Sequence, residues 1–136
     1  MRERKTPSAS YGFPRSARIT RGADLQRIAR EGKRIRTTLI EVRIVASPLV
    51  HMPTMRVGVI VARFKRSAVV RNRLKRRLRE LVRLHVLPMH LPYELVIRAR
   101  PEAYEAPFST LAADMIGMAT QLARWHFIRT GNDDAS

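Results

Sequence analysis

Apolar and polar positions recur along the chain with two periods, and the switches between them mark its elements. From Arg21 to Glu31 the apolar residues Leu25, Ile28 and Ala29 fall on one stripe at helical spacing. Thr20 stands where an N-cap belongs and Gly32 just past the last turn. The period then shortens to two. From Thr38 to Ala46, Ile40, Val42 and Ile44 point one way while Glu41 and Arg43 point the other, the pattern of a half-buried strand. Ser47 to Pro53 holds two prolines and predicts a loop. Met55 to Ala62 is almost wholly apolar and β-branched, as in a strand covered on both faces, and Gly58 inside it suits a close backbone approach.

A long helix is predicted next, from Ala68 to Val86, capped by Ser67 and free of breakers until Pro88. Val70, Leu74, Leu78, Leu81 and His85 form its apolar stripe. Tyr93 to Ala99 reads as a short strand, and Ser109 to Ile128 as a last helix with Leu111, Met115, Met118, Leu122 and Trp125 on one stripe. The order predicts one α/β two-layer sandwich of the α+β class, in which two strands flank a crossover helix. Residues 1–14, polar and basic with two prolines, read as a flexible basic arm. Residues 15–129 read as the single domain, and Thr130 to Ser136 as a short disordered tail.

Charge changes the picture more than length does. The 136 residues carry 27 Lys and Arg against 11 Asp and Glu, a net charge of +16. Such an excess points to a polyanionic partner and away from small neutral substrates. No cysteine is present, so disulfides, thiolate chemistry and cysteine-ligated metal centres are excluded. The longest apolar run, Val57 to Ala62, is far below a membrane span. Arg2, Arg4 and Lys5 are followed by no apolar stretch of the secretory type. A cytoplasmic protein without a membrane partner is expected.

Residues 63–83 hold Arg63, Lys65, Arg66, Arg71, Arg73, Lys75, Arg76, Arg77, Arg79 and Arg83 against the one acid Glu80, ten minus one, or +9 of the +16. At about 100° per residue, with Val70 at zero, the apolar stripe spans about 80°. Asn72, Arg73, Lys75, Arg76, Arg79 and Arg83 fill about 140° to 300°, with Arg71 and Arg77 on the flanks. Surface helices ordinarily mix signs at i,i+4, whereas Arg71/Lys75, Lys75/Arg79 and Arg79/Arg83 stack like charges. Such a face is relieved by an external polyanion, and the planar fork of arginine suits phosphate oxygens. The apolar stripe is narrow and needed for the core, which disfavours a membrane surface.

The chain itself lacks catalytic equipment. His51, His85, His90 and His126 share no metal-ligand spacing, the carboxylates are scattered, and the six glycines form no phosphate loop. No catalytic and no metal-binding residue is assigned.

The stretch RVGVIVARFKRSAVVRNRLKRRLRE, Arg56 to Glu80, is similar to the signature region of the protein subunit of bacterial ribonuclease P. Ala68, Val69, Arg71, Asn72, Arg73, Lys75, Arg76, Arg79 and Glu80 match its fixed positions. Arg18 to Gly32 resembles the family's first helix, and ELVIRAR, Glu94 to Arg100, its strand ending in Ala-Arg. The resemblance implies an αβββαβα order of the ribosomal protein S5 domain 2-like type, with a short extra strand near Arg34 to Arg36. It also implies a left-handed βαβ crossover, against the general preference. It implies further that the catalytic centre lies in an RNA subunit using Mg2+, which removes the 5′ leader of precursor tRNA, and that one protein joins each RNA.

Carried over by position, Arg71, Asn72, Arg73, Lys75, Arg76 and Arg79 match the helix that contacts the catalytic RNA. Arg77 on the same helix, with Arg63, Lys65 and Arg66 in the adjoining loop, completes the expected RNA-binding set. Ala62, Phe64 and Arg66 depart from the family's usual loop residues, and Leu25 and Ala29 stand where phenylalanines often meet the leader. Phe13 or Phe64 is expected to replace that stacking in the leader cleft, with Arg27 and Arg43 holding phosphates. The alternative expectation is a ribosomal-type structural RNA binder without a role in tRNA processing.

Overall fold

The computed structural model describes residues 13–48 and 54–135, with side chains as far as Gly131. Its elements run α1 (Gly22–Glu31), β1 (Lys33–Arg36), β2 (Ile40–Ala46), β3 (Arg56–Ile60), α2 (Ala68–His85), β4 (Tyr93–Ala99) and α3 (Phe108–Ala135). This is the expected αβββαβα order. The strands form one mixed sheet ordered β1-β2-β4-β3. β2 pairs antiparallel with β1 and β4, and β3 pairs parallel with β4.

Alternation along the strands sorts the two faces. Val42, Ile44, Val57, Leu95 and Ile97 point into the main core, which α2 closes with Leu74, Leu78, Leu81 and Val82, and α3 with Leu111, Met115, Met118 and Leu122. On the other face Val96 packs against Ile19 and Ile28, with Leu25, Val45 and Ile60 beside them, so α1 covers only part of it. Covering on both sides makes β4 the most buried strand, with Arg98 alone exposed.

The handedness of the β3–α2–β4 crossover follows from one residue. The Val57 side chain lies in the α2–α3 core while its carbonyl accepts the Ile19 amide, away from β4. For an L-residue this puts β4 to the left of β3 when both strands run upward and α2 faces the viewer. The crossover is left-handed, against the usual rule.

Three local features correct the pattern reading. α1 begins at Gly22 after Arg21, without a side-chain cap, so Thr20 does not cap it. Gly32 is extended, at φ −76°, and is needed for space instead of a left-handed turn. A Cβ there would lie 2.6 Å from the Ile28 carbonyl oxygen and 2.8 Å from the Ile44 nitrogen. α3 runs on through Thr130 to Ala135, where an unstructured tail was expected, with the Thr130 hydroxyl donating to the His126 carbonyl one turn back.

The expected arm lies mostly outside the described residues. Its end is not loose, because Phe13 is buried and its carbonyl accepts two bonds from the Arg18 guanidinium.

Candidate nucleic-acid interface

α2 is capped as its sequence predicts, though Val70 and His85 of the expected stripe are only half-buried. The Ser67 hydroxyl accepts the Val70 amide at 3.2 Å, and the buried stripe comprises Leu74, Leu78, Leu81 and Val82. Burial of Val82 and Val86 rotates the stripe toward the cationic sector. Lys75 and Arg79 therefore stand half-buried on the flank, while Asn72, Arg73, Arg76 and Arg77 face outward.

Among the described residues, none of Arg73, Lys75, Arg76, Arg77 and Arg79 has a carboxylate partner, whereas Arg83 is paired with Glu80. Arg71 donates to the Val61 carbonyl and to the Asn72 side chain, tying the helix start to the end of β3. Arg63 and Lys65 are exposed in the turn before α2, and Arg66 pairs there with Glu105. All ten expected residues thus lie on one continuous stretch of surface from this turn along α2.

The flank carries the strain of like charge. Desolvation, then the Arg79 and Arg71 charges, holds the Lys75 ammonium below its usual range. Arg79 is lowered by desolvation and then by Arg18. Lys75, Arg79 and Arg18 line a hollow of 120 Å³ with Phe13 and Thr20. Each cation there raises the cost of its neighbours until an anion enters.

The four expected cleft residues are not brought together. Phe13 is 8% exposed and lies in that hollow, under the Arg18 guanidinium at 5.5 Å from its ring centroid, so it has no free face for a base. Arg27 reaches through the second face to Glu94, 3.1 Å away, and Arg56 bonds the other carboxylate oxygen at 3.0 Å. Glu94 is 2% exposed, and a carboxylate so buried requires its cations, so Arg27 is engaged in the fold. Phe64 stands on the turn before α2, against Tyr104.

Of these four, only Arg43 faces the open part of the sheet beside α1. It bonds the Gly32 carbonyl at 3.2 Å and lines a 250 Å³ hollow with Ala29, Glu41, Val96 and Arg98. The register sets Arg34 opposite Arg43, and puts Arg36 and Arg98 on either side of Glu41. Four arginines thus surround one glutamate on the face that α1 leaves uncovered. Sequence reading missed Arg34, Arg36 and Arg98. Nothing local announced them, since Lys33-Arg34-Ile35-Arg36 holds a single apolar residue and the cluster forms only through strand register.

Among the described residues no group of three or more His, Asp or Glu side chains is placed to hold a metal ion, and no helix is long and apolar enough to cross a membrane.

Comparison with known proteins agrees with this geometry. The model of the family described as Ribonuclease P matches residues 13–123. The ribonuclease P protein component of a Nocardioides species is 40% identical over 99 residues, covering 72% of this chain and 84% of that protein. That of Acidothermus cellulolyticus is 37% identical over 114 residues, covering 80% and 92%. In fold, the chain resembles the ribonuclease P protein of Thermotoga maritima at a TM-score of 0.66 and 24% identity, covering 76% of this chain and 96% of that one. The match extends from the buried Phe13 through the basic helix and most of α3, and the chain belongs to the bacterial ribonuclease P protein family.

Proposed function

We infer from this membership that the chain is the protein component of a tRNA-processing ribonucleoprotein, with ribonuclease P RNA as its partner. We propose that α2 and the turn before it dock on that RNA, while the open sheet face beside α1 receives the 5′ leader of precursor tRNA. The observation carrying the first half is the row of outward cations on α2 without carboxylate partners among the described residues. Arg73, Arg76 and Arg77 contact phosphates directly, and Lys75 and Arg79 reach them from the flank.

The second half rests on Arg34, Arg36, Arg43 and Arg98 around Glu41. With Leu25 and Ala29 on α1, this face offers guanidinium groups in place of stacked rings. It suits a leader held by its backbone, with little preference for base identity. Hydrolysis is assigned to the RNA subunit and its Mg2+, with one protein per RNA. The protein lowers the repulsion between two polyanions by binding both.

Arg98→Glu with Arg36→Glu tests the leader assignment. The pair is expected to weaken binding of precursor tRNA carrying a leader, yet leave affinity for leaderless tRNA and for the RNA subunit unchanged. Equal loss for substrates with and without a leader contradicts the assignment.

A further inference from the structure

We propose that Phe64 is a preorganised stacking platform for an unpaired base of the catalytic RNA, presented by the turn that leads into α2. The inference rests on the reading of α2 as the face that docks on that RNA.

Phe64 and Lys65 both adopt left-handed backbone conformations, at φ 47° and 68°. The Arg66 amide donates to the Arg63 carbonyl at 2.8 Å, which closes a type I′ turn. Such a turn favours Asn-Gly, and two bulky L-residues persist in it only where the surroundings impose it.

Tyr104, in the 3-10 turn after β4, supplies those surroundings. Its hydroxyl donates to the Ala62 carbonyl at 2.7 Å, and its ring meets Phe64 edge-on at 6.3 Å. The Arg66 guanidinium lies 4.9 Å from the same ring and pairs with Glu105. Arg63 Nε donates to the Arg66 carbonyl across the turn.

The bracing does not bury Phe64. The ring is 46% exposed, between the exposed cations Arg63 and Lys65 and at the start of the basic helix. A fixed aromatic face flanked by cations is what single-stranded nucleic acid stacks upon. Continuity with α2, and the distinct position of the open sheet face, select the catalytic RNA over the leader.

The test uses the full chain and a bacterial ribonuclease P RNA. Phe64→Ala and Phe64→Leu are both expected to bind about 5- to 150-fold more weakly with an unchanged salt slope, because stacking releases no counterions. Phe64→Trp in a Trp125→Phe background should bind like the parent and lose fluorescence on adding RNA. Unchanged affinity in Phe64→Ala, or unquenched Trp at position 64, overturns the proposal. If Arg73→Ala and Arg76→Ala weaken binding while Phe64→Ala does not, the platform alone fails. If none of the three does, the reading of α2 fails as well.

Discussion

Lys75→Gln should make the free protein more stable and its RNA complex weaker. Lys75 lies one turn from both Arg71 and Arg79, and its ammonium is held below its usual range by desolvation and then by those two charges. Each like-charge i,i+4 pair costs about 0.2–0.5 kcal/mol, so removing two returns about 0.4–1 kcal/mol. Glutamine keeps most of the stem, so little packing is lost. For a domain of this size the gain amounts to about 1–4 °C in Tm at low salt. The sign of its pH dependence follows from the lowered value. The penalty is complete at neutral pH and fades as pH rises through the folded-state pKa, because the folded chain then sheds that proton before the unfolded chain does. Wild type and variant should therefore converge in alkali, and also in high salt. On RNA, one lost phosphate contact lowers the log–log salt slope by about 0.7–0.9 and weakens binding about 4–5-fold near 0.15 M salt relative to 1 M. Thermal melts at two salt concentrations and a salt titration of RNA binding read both effects. A lower Tm in the variant at low salt, or an unchanged salt slope, would refute the reasoning.

Gly58→Ala should cost about 1–3 kcal/mol in denaturant unfolding, because a Cβ there would stand 2.6 Å from Leu25 Cδ2 and 3.0 Å from the Ile19 carbonyl oxygen. A neutral result would show that α1 shifts away freely. Glu94→Ala should cost about 2–4 kcal/mol, since it leaves Arg27 and Arg56 facing each other under α1, their partial exposure keeping the loss below that of a fully buried pair. Urea unfolding measures it, and a stabilised variant would contradict the assignment. Lys65→Gly should raise Tm by releasing a left-handed L-residue worth about 1 kcal/mol, while lowering the RNA salt slope by about one contact. A fall in Tm would show that the turn is unstrained.

Much of the frame was legible because single residues announce it. Ser67 and Pro88 bracket α2, and the short strand expected from Tyr93 to Ala99 has the bounds of β4. β1 escaped the pattern, since a four-residue edge strand with one apolar position is too short to show a period. α3 outran its stripe because Gly131 carries no obligation to end a helix whose backbone bonds continue.

The interface divided along similar lines. The α2 cations could be placed by helical geometry alone, which requires only a phase. The cleft could not, because Arg34, Arg36, Arg43 and Arg98 meet only through the register of three strands. Arg27 illustrates the same limit. Its partner Glu94 stands 67 residues further on, and nothing local distinguishes an arginine that holds a buried carboxylate from one that holds a phosphate. The left-handed turn at Phe64 and Lys65 was equally hidden, because neither residue is one that favours it.

The central claim is that this chain assists cleavage by a catalytic RNA and does not cut RNA itself. Purified protein, a bacterial ribonuclease P RNA and precursor tRNA, combined at low Mg2+ with each component also tested alone, address it directly. Cleavage at the mature 5′ end only when protein and RNA subunit are both present is the predicted result. Cleavage by the protein alone, or no stimulation of an RNA shown to be active at high Mg2+, would contradict the account.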